Sequence, residues 1–321
     1  MTKSVFDILK EKVQNSDKKV KIVFPEANDP RVINAVERLA QEKIIEPILI
    51  NNDSVAGVAS YDQAKDLLTE LAKRYPVARR KEVSLAEISQ NLQDVNYYAT
   101  MLVESGYADG LVSGATHSTA DTVRPGLQLI HTAQGMKRVS GAMIMEKGEQ
   151  RFIFSDCAIN IDPDADTLCE IAYQSAQTAK MIGLTPKVAF LSFSTKGSAK
   201  GDMVSKVQAA ASKFKEFYPE IPADGELQFD AAFVPEVAKQ KAPDSEIAGQ
   251  ANVFVFPELQ SGNIGYKMVQ RLGGFLAVGP ILQGMNKPVN DLSRGASAED
   301  IYQLAILTAA QALEVHDENN N

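Results

Sequence analysis

The alternation of apolar and polar positions near the start of the chain predicts a strand, a helix and a second strand. The segment KVKIVF at 19–24 places its apolar side chains on one face of a strand. Asp29 then suits the N-cap of a helix, and Pro30 suits its first position. Apolar residues recur at helical spacing over 32–40, and EPILIN at 46–51 has the composition of a second strand. This order predicts a right-handed parallel crossover, so the chain begins as an α/β fold.

The same alternation continues toward the carboxyl end, with one change of rhythm near residue 135. There, GAMIME and RFIFSDC flank the short polar segment KGEQ, which predicts an antiparallel hairpin. Further strands are predicted at ADGLVSG, KVAFLSF, ANVFVFP and FLAVGPIL, with helical patterns between them. No Pro- or Ser-rich linker divides the chain. The change of rhythm near residue 135 therefore marks the expected domain boundary. We expect two α/β domains with a cleft between them, and we expect the second domain to begin at the hairpin.

Composition and charge limit the classes of function. The chain has 45% hydrophobic and 23% charged residues, which is typical of a globular protein. Its 33 basic and 41 acidic residues give a formal charge of -8, which argues against general affinity for nucleic acid or anionic membranes. No stretch approaches the ~20 apolar residues of a membrane span, and the amphipathic amino terminus lacks the apolar core of a signal peptide. With two cysteines and three histidines, we expect a cytoplasmic protein without a metal site.

Several familiar ligand motifs fail on spacing. No GxGxxG follows a strand, and STKGSAKGD lacks the residue order of a Walker loop. The acidic run at 162–166 resembles the start of an EF-hand loop, but the later positions carry the wrong residues. It is interpreted as a turn that leads into a helix N-terminus. No GxSxG elbow is present for an α/β-hydrolase.

Three polar loops at strand-to-helix junctions remain as candidate binding segments. They are SGATHSTADTVRPG at 113–126, SFSTKGSAKGD at 192–202 and NDLSRGASAED at 290–300, and each carries a cation. Ligands of open α/β sheets bind beyond the carboxyl ends of the strands, where helix N-termini favour phosphate. A single loop of this composition is commonly only a cap or a turn. Three in one chain favour an extended, phosphate-bearing ligand.

Long strings across the chain carry a resemblance to one family. They are KIVFPEANDPR, ADGLVSGATHSTADTVRP, FSDCAINIDP, SFSTKGSAKGD, DGELQFDAAFVP, APDSEIAGQANVFVFP, SGNIGYK and GPILQGMNKPVNDLSRGASAEDI. Together they resemble phosphate acetyltransferase, in its short single-function form, over nearly the whole chain. The resemblance implies reversible transfer of acetyl between coenzyme A and inorganic phosphate. Both are substrates of a direct attack in a ternary complex, and no cofactor is implied.

The resemblance also implies an architecture. The family consists of homodimers whose two-domain subunits have a fold related to isocitrate and isopropylmalate dehydrogenases. In that family the final helices return to the first domain. We therefore expect domain I at 1–134 plus 283–321, and domain II at 135–282.

The resemblance assigns the reaction to Ser293, Arg294 and Asp300. Asp300 would accept the thiol proton of coenzyme A, and Arg294 would hold phosphate and neutralise charge on the leaving group or the carbonyl oxygen. Ser293 would donate a hydrogen bond to the carbonyl oxygen or to a phosphate oxygen. The residues alone favour another role for Asp300, because Ser297 and Asp300 form an S-x-x-D pattern that is typical of a helix cap.

Arg124 and Arg80 resemble the family's arginines that contact the phosphates of coenzyme A. Arg79 remains an alternative to Arg80, because the neighbourhood KRYPVARRKEVS is divergent. Ser118 and Thr119 are candidate contacts for phosphate or pantetheine, with helix capping as an equal alternative.

Two other side chains suggest different chemistry. His117 lies next to the hydroxyls of its loop, but it is interpreted as a structural donor rather than a general base. Cys157 suggests an acetyl-cysteine intermediate, but the neighbouring Asp156 would raise the pKa of the thiol and oppose its activation. We therefore expect Cys157 and Cys169 to be buried structural residues.

Three alternative functions remain open from the sequence. A phosphate butyryltransferase would need a roomier acyl pocket. A dehydrogenase on the related fold would need metal-binding aspartates and a nicotinamide site, and the failed motifs count against it. A non-catalytic protein that binds coenzyme A would not need Ser293, Arg294 and Asp300 together.

Overall fold

The chain forms two compact units, each with its own β-sheet. The computed structural model describes residues 3–320, with side chains through residue 315. The discontinuous unit combines Phe6–Gln134 with the segment that begins at Met285, and the central unit consists mainly of Gly135–Gly284. Within the described residues, no helix has both the length and the apolar composition that crossing a lipid bilayer requires.

Helices and strands alternate along the chain, so the mixed α/β class predicted from the sequence is confirmed. In chain order they are α1 (Val5–Gln14), β1 (Lys21–Phe24), α2 (Pro30–Gln41), β2 (Glu46–Ile50), β3 (Ala59–Tyr61), α3 (Leu68–Arg79), α4 (Leu85–Gln93), α5 (Val95–Glu104), β4 (Gly110–Ser113), α6 (Thr119–Leu129), β5 (Ser140–Lys147), β6 (Gln150–Ser155), α7 (Ala165–Met181), β7 (Val188–Leu191), α8 (Asp202–Phe217), β8 (Ala223–Leu227), α9 (Phe229–Phe233), α10 (Pro235–Lys241), β9 (Val253–Val255), α11 (Leu259–Gly273), β10 (Leu276–Gln283), β11 (Val289–Asp291) and α12 (Ala298–Asn320).

The discontinuous unit contains a five-stranded parallel sheet in the order β11-β4-β1-β2-β3. The crossover predicted at its start is confirmed, because β1 and β2 pair in parallel and Ile22 lies opposite Pro47. Asp29 caps α2 by accepting a hydrogen bond from the backbone N–H of Arg31, and Pro30 is the first helical residue. The last three residues of β1 are buried, as expected for a central strand of a parallel sheet.

The carboxyl-terminal segment completes this sheet. Val289 of β11 pairs in parallel with Leu111 of β4, and α12 follows β11 directly. The edge strand and its helix therefore come from a part of the chain far from the other four strands. The carboxyl ends of β1, β4 and β11 lie side by side.

The central unit contains a six-stranded mixed sheet in the order β10-β5-β6-β9-β7-β8. The predicted hairpin is confirmed, because β5 and β6 are antiparallel and Gly148 takes a φ of +60° in the turn between them. Aromatic rings form part of its core. The ring centroid of Phe254 lies 5.8 Å from that of Phe152 and 5.5 Å from that of Phe154.

The acidic run at 162–166 leads into a helix, as predicted. Asp164 is the N-cap of α7 and accepts a hydrogen bond of 2.8 Å from the backbone N–H of Thr167. This contact explains Asp164, whereas Asp162 and Asp166 accept hydrogen bonds from Lys206 and Lys213.

The polar loop at 192–202 lies in the central unit, and one of its two lysines is held by a buried carboxylate. Lys196 Nζ donates to Asp224 Oδ1 at 2.6 Å, and Lys215 donates to the same atom. Ser194 donates to the buried Glu226 at 2.8 Å. Lys196 is therefore already paired, unlike the free phosphate-binding cation that the sequence suggested.

Both cysteines are buried free thiols, as predicted. Burial, together with the charge of Asp156, raises the pKa of Cys157 well above its usual value. Burial raises the pKa of Cys169 to about 11. A thiol that stays protonated and buried is a poor nucleophile, which argues against an acetyl-cysteine intermediate.

Candidate active site

Three loops of the discontinuous unit meet at the carboxyl edge of its sheet. They follow β1, β4 and β11 and comprise residues 25–29, 114–118 and 292–297. The three strands are adjacent and parallel, so the loops leave the sheet on the same side. We call them the carboxyl-edge loops. They contain the central parts of two of the three polar segments singled out in the sequence.

The side chain of Arg31 joins these loops. Asp29 holds the guanidinium, with the Arg31 nitrogens 3.0 and 2.6 Å from its two carboxylate oxygens. One terminal nitrogen donates to the carbonyl oxygens of Arg294 (2.9 Å) and Ala296 (2.7 Å). The other donates to the carbonyl oxygen of Ala115 at 3.0 Å. The second and third loops therefore contact a single guanidinium from the first residues of α2.

Glu26 organises the second loop from within. Its side chain is 2% exposed. Its carboxylate accepts hydrogen bonds from the backbone N–H groups of Ala115, Thr116 and His117 at 2.7–2.9 Å. The Thr116 hydroxyl donates at 2.9 Å, and His117 Nδ1 lies 2.7 Å away. Burial acts to raise the pKa of Glu26, but these hydrogen bonds outweigh it and hold the pKa below its usual value.

Gly114 allows the second and third loops to touch. Its φ is +109°, and an added Cβ would lie 2.4 Å from Asp291 Oδ1 and 2.6 Å from the Leu292 carbonyl oxygen. Asp291 accepts a hydrogen bond from the Thr119 hydroxyl at 2.6 Å, while its Oδ1 is buried without a partner among the described residues. Burial raises the pKa of Asp291, and the charge of Glu26 adds to this effect.

Ser293 and Arg294 form an exposed turn in the third loop. The Ser293 carbonyl oxygen accepts from the Ala296 N–H at 2.9 Å, and its hydroxyl oxygen accepts from the Gly295 N–H at 3.3 Å. Arg31 holds the backbone of Arg294, whereas the Arg294 guanidinium makes no hydrogen bond or ion pair with residues 3–315. A cation with a fixed backbone and an unpaired head group is suited to an anionic ligand.

Asp300 is part of a reciprocal cap at the start of α12. Its Oδ2 accepts from the Ser297 backbone N–H and hydroxyl, both at 2.8 Å, and its own N–H lies 3.1 Å from the Ser297 hydroxyl oxygen. This is the capping box that the S-x-x-D pattern predicts. Both bonds use Oδ2, and Oδ1 accepts none from the described residues. The carboxylate is exposed, and its Oδ1 is therefore available to accept a hydrogen bond or a proton.

The second loop ends in the N-terminus of α6. Ser118 caps it, because its hydroxyl accepts from the Asp121 N–H and donates to the Asp121 carboxylate at 2.6 Å. Within the described chain, the N–H groups of Thr119 and Ala120 have no acceptor. Arg124 is exposed and lies 4.0 Å from Asp121. Hydrogen bonding by Ser118, and then the nearby charges of Arg124 and His117, lower the pKa of Asp121.

Arg80 lies away from these loops. It ends α3 with a left-handed φ of 54°. Together with Glu104, His131 and Lys287, it lines a cavity of about 120 Å³. Lys287 precedes β11, so this cavity lies at the amino edge of the sheet.

Arg79, the alternative left open by the sequence, lies near Tyr97. Its Nε is buried without a hydrogen-bond partner in the described part of the chain. Burial raises the pKa of Tyr97, and the positive charges of Arg79 and Arg124 act against that rise. Both guanidiniums therefore lie near the same phenol, which associates Arg79 with Arg124.

The site residues predicted from the sequence do not include Glu26, Arg31 or Asp291. Glu26 and Arg31 lie in the string KIVFPEANDPR, and Asp291 lies in the string that contains Ser293. A signal was present, because charged residues directly after buried strands are expected at the ligand-binding edge of an α/β sheet. Apart from the contact between Arg31 and Asp29, the partners described above are 84 to 265 positions away along the chain, so only the fold identifies these contacts.

Comparison with known proteins gives a consistent result over the whole chain. Residues 4–309 match the family model described as phosphate acetyl/butaryl transferase. The phosphate acetyltransferase of Bacillus subtilis strain 168 is 55% identical over 322 residues, covering 96% of this chain and 99% of that protein.

Solved structures agree with this result. A phosphotransacetylase from Streptococcus pyogenes superposes with a TM-score of 0.93 at 52% identity, covering 98% of this chain and 100% of that one. A 4-hydroxythreonine-4-phosphate dehydrogenase from Klebsiella pneumoniae superposes with a TM-score of 0.52 at 13% identity, covering 93% and 99%. The second similarity concerns the fold alone, and it confirms the expected likeness to a dehydrogenase fold.

We expect Gly114→Ala to lower the free energy of unfolding by about 3 kcal/mol, because it combines a strained positive φ with overlap against Asp291 and Leu292. Gly106→Ala is the matched control. Gly106 has a φ of +83° but no atom within 4 Å of an added Cβ, so strain alone should cost about 1 kcal/mol. Urea denaturation of both variants measures the difference. Equal losses would contradict the proposed close contact between the loops.

Proposed function

This chain belongs to the phosphate acetyl/butaryl transferase family, and from that membership we propose that it moves acetyl reversibly between coenzyme A and inorganic phosphate. The full-length similarity to phosphate acetyltransferases carries the proposal, because it spans every loop described above. Coenzyme A, acetyl-CoA, phosphate and acetyl phosphate are the substrates and products, and the reaction needs no further cofactor.

The proposed step is direct attack of the coenzyme A thiolate on the carbonyl carbon of acetyl phosphate. A free thiol has a pKa of about 8.5, so a proton acceptor increases the nucleophilic fraction at neutral pH. Arg294 would bind phosphate through two N–H groups and stabilise the negative charge that develops during the step. Ser293, exposed in the same turn, would donate a hydrogen bond to the carbonyl oxygen or to a phosphate oxygen.

Asp300 is the proposed proton acceptor for the thiol. The capping box does not rule this out, because both of its hydrogen bonds to Asp300 end on Oδ2 and leave Oδ1 to face solvent or substrate. The cap holds the carboxylate in one orientation, which benefits a group that must meet a proton at a fixed place.

The phosphates of coenzyme A would bind near the start of α6. Arg124 is exposed there, Arg79 shares its surroundings, and the free N–H groups of Thr119 and Ala120 favour an anion. Ser118 would contribute indirectly, because it caps the helix whose N-terminal N–H groups favour the anion. We favour Arg79 over Arg80, because Arg80 lies beside the cavity at the amino edge.

Arg294→Ala should lower kcat for acetyl-CoA formation from acetyl phosphate and coenzyme A by about 10²–10³-fold. Arg294→Lys should recover only part of the loss, since an ammonium cannot replace the planar fork of donors. A coupled assay with acetyl, propionyl and butyryl phosphates measures turnover and acyl preference. A wild-type preference for butyryl phosphate, or no acetyl-CoA formation at all, would overturn the proposed function.

Asp300→Asn and Ser297→Ala separate catalysis from capping. The asparagine keeps an oxygen that accepts from the Ser297 N–H but cannot take a proton, so we expect kcat to fall by about 10²–10⁴-fold with stability retained. Ser297→Ala removes the cap hydroxyl but keeps the backbone N–H that orients the carboxylate, so stability should fall by about 1 kcal/mol with kcat nearly unchanged. The reverse pattern would show that Asp300 serves only the helix.

We further propose that the protein is a homodimer that assembles through α11. Ile264, Met268 and Leu272 occupy one face of this helix and are 56%, 54% and 83% exposed. We call these three residues the α11 face. An open apolar cavity of about 440 Å³ lies beside it. Six phenylalanines line that cavity: Phe152, Phe154, Phe229, Phe233, Phe254 and Phe275. An apolar surface of this extent is typical of a subunit interface.

Leu272→Asp should weaken the dimer by at least about tenfold, because a carboxylate would be buried in an apolar contact. Val77→Asp is the control, since Val77 is 77% exposed on α3 of the other unit and should leave assembly unchanged. Sedimentation across a concentration series measures both variants. Dimerisation of Leu272→Asp at wild-type strength would exclude the α11 face as the interface.

We also propose that the protein acts in the cytoplasm. Its two buried free thiols are compatible with a reducing compartment, and its proposed substrates are intracellular metabolites.

A further inference from the structure

The pairing of His117 with Glu26 has no role in the mechanism proposed above. His117 Nδ1 lies 2.7 Å from Glu26 Oε1, and the two side chains are 33% and 2% exposed. The backbone N–H of His117 donates to the same carboxylate at 2.9 Å, so Glu26 fixes both the backbone and the ring of His117. A partly exposed imidazole held by a buried carboxylate is an arrangement that enzymes use for proton transfer.

The carboxylate determines which ring nitrogen is available. An ionised carboxylate only accepts hydrogen bonds, and the bonds to Glu26 hold its pKa below the usual value. Nδ1 of His117 therefore carries a proton that it donates to Glu26. Nε2 makes no hydrogen bond with the described residues, so it is the ring nitrogen that remains available to a ligand.

The surroundings of His117 place it beside the proposed phosphate-binding groups. It directly precedes Ser118, which caps α6, and its charge acts on Asp121 as that of Arg124 does. Two residues earlier, the Ala115 carbonyl oxygen contacts the same Arg31 guanidinium as the Arg294 carbonyl oxygen. His117 and Arg294 therefore lie on neighbouring loops that one side chain holds together.

The proposed reaction requires a second proton transfer. When the thiolate attacks acetyl phosphate, the C–S bond forms, the bond between the acyl carbon and the phosphate oxygen breaks, and the electron pair of that bond leaves with phosphate. Acetyl phosphate reacts as a dianion, so without a proton donor the departing group would be a phosphate trianion. The thiol proton has gone to Asp300, so a separate donor beside the leaving oxygen would avoid the trianion.

We propose that His117, oriented by Glu26, donates the Nε2 proton to the leaving phosphate oxygen and accepts it back when phosphate attacks acetyl-CoA. This inference rests on the proposed function. In the forward direction Asp300 gains a proton and His117 loses one, and exchange with solvent restores both groups. The net change is one proton moved from the thiol to phosphate, so atoms and charge balance. Glu26 is a positioning residue, because it acts through the ring.

Several charged groups face this pair. Glu26, from the loop after β1, and Asp121, from α6, are the carboxylates that act on the ring or lie against it, and both attract its protonated form. Arg31 and Asp291 also act on Glu26, with opposite charges. The charges of Arg124 and His117 both act on Asp121.

His117→Asn tests the proposal, because its amide nitrogen can replace Nδ1 as donor to Glu26 while Nε2 is lost. We expect kcat to fall by about 10²–10³-fold in both directions, with a KM for coenzyme A near that of the wild type. The alkaline limb of the kcat profile for acetyl-CoA formation, where the ring loses its proton, should disappear. The acid limb for acetyl phosphate formation should disappear as well, since there the ring must be neutral.

Three further variants keep the test decisive. Glu26→Gln should lower kcat and displace the same limbs, because the ring loses its fixed orientation. Thr116→Val removes the hydroxyl that lies 2.9 Å from the same Glu26 oxygen and 3.4 Å from His117 Nδ1, but it leaves the ring and its Nε2 in place, so both pH limbs should remain. His117→Gln, which places an amide near the position of Nε2 but cannot transfer a proton, should be as slow as His117→Asn.

The outcomes separate this inference from the proposed function. If the wild type forms acetyl-CoA and His117→Asn keeps kcat within about twofold, only the inference fails. The inference also fails if His117→Asn is slow but keeps both pH limbs, because the ring would then have a structural role alone. If the wild type forms no acetyl-CoA from acetyl phosphate, the proposed function itself fails.

Discussion

The buried carboxylate of Glu26 is the charge on which the candidate active site depends. Its side chain is only 2% exposed, so its negative charge is tolerable only if protein donors surround it. The chain provides them by folding the 115–117 backbone around the carboxylate and by directing a histidine ring toward it. The requirement to satisfy one charge thus fixes the loop that begins α6, the tautomer of His117 and the surroundings of the α6 N-terminus.

The cations at the strand ends have different roles, and their contacts distinguish them. Arg31 is fully used in joining two loops through backbone carbonyls. Lys196, in a loop of similar composition, is paired with Asp224 in the other unit. Arg294 and Arg124 remain exposed, with at most a loose ion pair to Asp121 in the case of Arg124. Exposed cations such as Arg294 and Arg124 can bind phosphate without first breaking a close internal contact, whereas Arg31 and Lys196 cannot.

Asp300 and His117 illustrate how one residue can serve both structure and chemistry. Each is held by a hydrogen bond at one atom and leaves a second atom of the same group unengaged within the described chain. Such a bond restricts the rotamers of the side chain, so the unengaged atom has a defined position before substrate arrives. A structural contact therefore does not argue against catalysis when the reactive atom is a different one.

The sequence by itself determined the α/β class, the first crossover, the hairpin, the caps at Asp29 and at Ser297–Asp300, and the family. These features depend on local periodicity, on residue pairs within one helical turn, or on long matching strings. The tertiary structure alone decided that Glu26 and Arg31 support the site, that Lys196 is paired, and that Arg79 rather than Arg80 shares the surroundings of Arg124. Those outcomes depend on which separate segments meet in the fold. The contact of Arg31 with Ala115 spans 84 positions and that of Lys196 with Asp224 spans 28, and such contacts leave no local pattern.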